Sequence, residues 1–111
     1  MPRWLPGLLS QIRQLVQEGK VRFTYKALRE LAALELGLDE TDVCEVLVDL
    51  AESDFRERIT SNITQELLYV FAPNVCGVEI YLKIVIRENC IIISFHEDNK
   101  DGCEKEESTK S

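Results

Sequence analysis

A chain of 111 residues is expected to form one domain that buries roughly two thirds of its unfolded surface, with no separate regulatory module. Its formal net charge of −7, from 20 acids against 13 lysines and arginines, argues against a surface given over wholly to nucleic acid. No apolar run approaches the ~18 residues needed to span a bilayer, and Leu8-Leu9 is too short for a secretory core, so a cytoplasmic protein outside the membrane is expected.

The chain opens with a basic third. Residues 1–29 carry Arg3, Arg13, Lys20, Arg22, Lys26 and Arg29 against Glu18 alone. Pro6 suits the first turn of a helix, in which Leu5, Leu8, Leu9, Ile12, Leu15 and Val16 recur at helical spacing until Gly19. Lys20 to Phe23 reads as a short extended connection with edge-strand character. Thr24 is an N-cap for a second helix running to about Leu36, with Ala27, Leu28, Leu31 and Ala32 turned inward and Gly37 ending it.

Residues 30–54 carry nine acids and no lysine or arginine. Asp39 caps a third helix from Glu40 to about Ala51, with Val43, Val46, Leu47 and Leu50 as its apolar stripe. Two short helices joined at Gly37 have helix-turn-helix spacing. The second of them exposes Asp42, Glu45 and Asp49, which DNA phosphates would repel, so no direct reading of DNA is expected.

From Phe55 the helical period gives way to strands. Arg56 to Thr60 is a candidate strand, Ser61-Asn62 a turn, and Leu67 to Phe71 a second apolar run ended by Pro73-Asn74. Between Gly77 and His96, Val78, Ile80, Leu82, Ile84 and Ile86 alternate with Glu79, Tyr81, Lys83, Val85 and Arg87, the period-two pattern of a half-buried strand. Glu88-Asn89 is the polar pair that interrupts the run. A two-residue turn there pairs Ile86 with Ile91, Ile84 with Ile93 and Leu82 with Phe95 on the core face. The other face then pairs Val85 with Ile92, Lys83 with Ser94 and Tyr81 with His96. The expected fold class is α+β, with N-terminal helices packed on one face of a C-terminal antiparallel sheet. Residues 1–96 form the single domain, and the acidic stretch 97–111, lacking hydrophobic periodicity, is expected to be disordered.

Chemistry can be argued at one place. The hairpin sets a phenol, an ammonium, a hydroxyl and the sole histidine on one sheet face, with directly opposite Cβ atoms about 4.5–5.5 Å apart. A Cys90/His96 nucleophile pair fails on distance, since residues six apart in a strand are about 20 Å from each other. Ser94 lies nearer to His96, but no orienting acid is expected on that face. Cys44, Cys76, Cys90 and Cys103 contain no C-x-x-C pair, so no metal, cofactor or disulfide is expected and the cysteines read as small hydrophobes.

Three strings carry a resemblance: LSQIRQLVQEGKVRFTYKAL at 9–28, LGLDETDVCEVLVDLAESDF at 36–55, and GVEIYLKIVI with IIISFHED between 77 and 98. They are similar to the MqsR (motility quorum-sensing regulator) family of bacterial toxins, small mRNA interferases paired with an antitoxin. The resemblance implies a RelE-like RNase toxin fold. It also implies a catalytic set of two lysines, a glutamine and a tyrosine. Tyr81 matches the tyrosine, and His96 takes the place of the later lysine. Glu57 stands where the earlier lysine is expected, flanked by Arg56 and Arg58, and Leu68 stands in place of the glutamine.

Cleavage of RNA by attack of its own 2′-OH needs a proton acceptor, a donor for the leaving 5′-oxygen and cations for the phosphorane. On this resemblance His96 serves as acid or base, Tyr81 orients or protonates an oxygen, and Lys83 with Arg56 or Arg58 supplies positive charge. The implied partners are mRNA and a cognate antitoxin, expected to be a helix-turn-helix DNA-binding protein. The rival expectation is a non-catalytic member of the fold that only binds a protein partner.

Overall fold

A computed structural model describes residues 2–98 of the chain. Helix α1 (Leu5–Gln17) buries Leu5, Leu8, Leu9, Ile12 and Leu15 along one stripe, and Gly19, at φ +72°, turns the chain out of it. Strand β1 (Val21–Phe23) leads into α2 (Tyr25–Ala33), whose Thr24 cap accepts the Ala27 N–H at 3.1 Å. Helix α2 stops three residues before the expected Leu36, and Glu35 at φ +57° makes the turn. Ala32 is exposed rather than inward, because Ala27 and Leu31, one turn apart, define the buried stripe and Ala32 lies ~100° around from Leu31.

Helix α3 (Glu40–Asp49) begins with a reciprocal cap in which Asp39 accepts the Asp42 N–H and Asp42 accepts the Asp39 N–H, each at 2.9 Å. It packs on α1, whereas α2 packs on the sheet, so the two helices rest on different supports and do not form a helix-turn-helix pair. A 3₁₀ turn at Glu52–Asp54, absent from the sequence reading, joins α3 to the strands.

Strands β2 (Phe55–Thr60), β3 (Leu67–Phe71), β5 (Val78–Ile86) and β6 (Cys90–Glu97) form an antiparallel meander. Strand β1 adds to β6 in parallel, giving the order β1-β6-β5-β3-β2. A two-residue strand β4 (Asn74–Val75) hairpins onto β5 through Cys76 and Gly77, both at positive φ. One sheet face carries the core: Phe71, Leu82, Ile84, Ile92 and Phe95 pack against α1, α2 and α3. Burial of each such side chain contributes about 1.5–3 kcal/mol. Trp4 extends this layer by packing edge-on against Phe55 at 5.3 Å and tilted against Tyr69 at 5.6 Å.

The β5–β6 hairpin corrects the expected turn. Its loop has three residues, Arg87 to Asn89, so Ile86 pairs with Cys90, Val85 with Ile91 and Ile84 with Ile92. A bulge at Ile93 then inserts one residue into β6 and restores the expected register, Lys83 with Ser94, Leu82 with Phe95 and Tyr81 with His96. The bulge reconciles a conflict of parity. Ile92 and Phe95 both enter the core on the same sheet face, which strict alternation forbids for residues three apart. Of the stretch expected to be a disordered tail, Glu97 closes β6 and Asp98 donates its N–H to the Glu79 carbonyl at 2.8 Å, while 99–111 lie outside the described residues.

Candidate active site

Strand pairing lays out the sheet face opposite the core. One row crosses β2, β3, β5 and β6 as Glu57, Val70, Lys83 and Ser94, and the next holds Tyr81 beside His96. The Tyr81 and His96 rings are stacked, with centroids 5.0 Å apart and planes 11° from parallel. His96 Nδ1 lies 2.9 Å from the Glu97 carbonyl. A carbonyl only accepts, so Nδ1 donates to it and Nε2 is the ring nitrogen left for a ligand. Burial, reinforced by the charges of Glu57 and Asp98, pushes the Tyr81 phenol above its ordinary value, so it stays a proton donor at neutral pH.

Helix α2 brings in residues that the strand pattern did not reveal. Beyond Ile92 the outer edge of β6 has no β1 partner, and α2 closes it with side chains. Thr24 Oγ1 donates to the Ile93 carbonyl at 3.3 Å, and Glu30 accepts the Phe95 N–H at 3.0 Å. Lys26 Nζ donates to Glu30 at 2.7 Å and to Ser94 Oγ at 2.9 Å. Burial pushes the Glu30 carboxyl up, but Lys26, the Phe95 N–H and the charge of His96 outweigh it and hold Glu30 below its ordinary value. The Lys26–Glu30 spacing of four is legible as a helical pair; its reach onto β6 depends on where α2 docks.

An acid therefore does lie beside Ser94, contrary to the sequence expectation. Ser94 still does not read as a nucleophile: it is 2% exposed, and an ammonium bound by a carboxylate at 2.7 Å has no lone pair to take its proton.

The expected cations separate. Lys83 is half-buried on the open face, and its ammonium makes no hydrogen bond or ion pair with any described residue. Arg56, at the bulge that opens β2, pairs with Glu79 at 3.2 Å and donates to the Ser53 and Phe55 carbonyls. Arg58 does not join them. Strand alternation turns it away from Glu57, and its guanidinium lies 4.6 Å over the Trp4 ring on the core side. Glu57 and Leu68, at the positions where the resemblance implies a lysine and a glutamine, both fall on the open face by register.

Among the described residues no group of three or more His, Cys, Asp or Glu is placed to hold a metal ion, and no helix is long and apolar enough to cross a membrane. Cys90 is fully buried, its thiol pushed up to about 12 by burial and, less strongly, by Cys44. Cys44 is half-buried and Cys76 exposed, both as free thiols, and Cys103 lies outside the described residues.

Comparison with known proteins adds two findings. Residues 7–97 match the family described as motility quorum-sensing regulator, toxin of MqsA. The chain is also similar to the mRNA interferase toxin MqsR of Escherichia coli (strain K12), 40% identical over 90 residues that span 80% of this chain and 90% of that protein.

Proposed function

This chain belongs to the motility quorum-sensing regulator (MqsR) toxin family, and on that footing we propose that it is an mRNA interferase: an endoribonuclease that cleaves single-stranded mRNA in the cytoplasm and is held in check by a cognate antitoxin. The observation that carries this reading is the Tyr81–His96 stack on the sheet face away from the helical core, one row from Lys83.

In the proposed reaction His96 Nε2 takes the proton of the attacking 2′-OH. Tyr81, held protonated by its surroundings, gives a hydrogen bond or proton to the departing 5′-oxygen. Lys83 supplies positive charge to the phosphorane oxygens. The products are a 2′,3′-cyclic phosphate and a 5′-hydroxyl. Arg56 contributes only if it exchanges Glu79 for phosphate, and Arg58 is left out of the set because of its place over Trp4. Helix α3, with Asp42, Glu45 and Asp49, is proposed to face away from the RNA or toward the antitoxin. The antitoxin is proposed to be a helix-turn-helix DNA-binding protein.

The purified chain, incubated with a single-stranded oligoribonucleotide, is expected to leave fragments ending in cyclic phosphate, and His96→Ala is expected to leave the strand intact. A specific observation favours a second reading: Glu57, an acid in the implied lysine position, stands on the row of Lys83. A wild-type chain that leaves RNA whole, arrests no growth on expression and still co-purifies with its antitoxin would favour a non-catalytic member of the fold.

A further inference from the structure

The strands by themselves leave the proposed reaction short of positive charge. Arg56 is tied to Glu79, Arg58 lies over Trp4, and Arg87 is held by a two-point pair with Glu66, at 2.7 Å through each nitrogen. Arg22 on β1 lies beside Ile91, one row further from His96, which leaves Lys83 as the unpaired strand cation on the row next to Tyr81 and His96 among the described residues, and the acid Glu57 shares that row. A phosphorane gains most from preorganised cations at the oxygens where charge develops.

We propose that Lys26, projected from α2, is the second ammonium of this site and contacts the RNA phosphate there; the inference rests on the nuclease reading above. Lys26 Nζ is 2.9 Å from Ser94 Oγ, and Ser94 is the cross-strand partner of Lys83, so the Lys26 ammonium from α2 is held on the residue directly opposite Lys83 of β5. His96 is two residues further along β6 on the same face, about 7 Å away between Cα atoms.

The ammonium is both held and available. Of its three protons one goes to Glu30 and one to Ser94, which leaves a third for a ligand. The Lys26 side chain is 53% exposed while Ser94 beneath it is 2% exposed. An ordinary i,i+4 surface pair loses its geometry to side-chain entropy. This one is anchored at both ends, because Glu30 also accepts the Phe95 N–H. The arrangement gives the site, from a helix, a cation that β2 lacks at Glu57.

The test uses the full chain with a single-stranded oligoribonucleotide and, for binding alone, the all-deoxy strand of the same sequence, which has no 2′-OH to attack. Lys26→Gln is expected to lower kcat/KM by about tenfold or more. It is also expected to reduce the slope of log Kd against log salt on the deoxy strand by about 0.7, the loss of one phosphate contact. Lys26→Arg should retain the slope, and Arg13→Gln, which removes the same charge on the α1–α3 side, should leave it unchanged. A Lys26→Gln chain with the slope and kcat/KM of the wild type overturns the proposal, as does a wild type that binds neither strand. Cleavage separates the two readings: a wild type that binds but does not cut ends the nuclease reading, and a His96→Ala chain that still cuts removes His96 from it, while the slope on the deoxy strand still decides Lys26.

Discussion

Glu30 accepts the backbone N–H of Phe95 at 3.0 Å, so a helix side chain completes a strand edge that β1 leaves open. The carboxylate that does this sits below its ordinary value of 4.5. Its contribution to stability is then fully present above that value and is lost as pH falls through the lower folded-state value. Glu30→Ala, which leaves the Phe95 N–H without its acceptor, is expected to cost about 1–3 kcal/mol at pH 7. Urea denaturation from pH 7 to pH 3 checks the sign: the gap between wild type and variant should narrow on the acid side, and a constant gap would show that the charge of Glu30 contributes nothing.

Tyr81→Phe keeps the stack on His96 and removes the hydroxyl. Cleavage is expected to fall by about 10²–10⁴-fold with little change in Tm. Because the phenol is pushed up, its loss of a proton should not limit the rate until the pH exceeds its ordinary value of 10. A pH–rate profile of the wild type checks this, and a hydroxyl-dependent decline that sets in well below pH 10 would contradict the proton-donor role.

Glu57 is the one acid on the proposed phosphate row. Glu57→Lys should tighten binding to single-stranded RNA and steepen its salt dependence by about 0.7, one added phosphate contact. The same change removes one of the influences that raise Tyr81, so the phenol should titrate at lower pH, which ultraviolet titration against a Tyr81→Phe background resolves.

Thiol chemistry should follow burial. Iodoacetamide at pH 8 is expected to modify Cys76 in the folded chain and to spare Cys90, whose thiol is pushed up to about 12. Peptide mapping by mass spectrometry reads both sites. Labelling of Cys90 at the rate of Cys76 without denaturant would mean that the β6 edge opens readily.

Phe95→Ala probes the layer beneath the site. Its ring is fully buried against the helices, and truncation is expected to cost about 3–5 kcal/mol. Since the neighbouring residues on β6 are Ser94 and His96, cleavage should fall together with stability rather than before it, which activity and Tm measured on one preparation would show.

The amino-acid order alone was enough for the helices with their caps at Thr24 and Asp39, the α+β class, and the meeting of Tyr81 with His96. Periodicity and capping are local, and pairing across a hairpin depends only on residues close in the chain. Even there two deviations cancelled: a loop one residue longer than expected shifted the register, and the bulge at Ile93 shifted it back. The bulge was not legible locally because it answers to the core, which needs Ile92 and Phe95 buried together. Which arginines reach the open face, the parallel docking of β1 on β6, and the arrival of Lys26 and Glu30 beside Ser94 were decided by tertiary packing. Residues 26 and 94 are 68 positions apart, and no short-range pattern encodes where a helix comes to rest on a sheet edge; only the joint burial of Ala27, Leu31 and the β6 core side chains sets it.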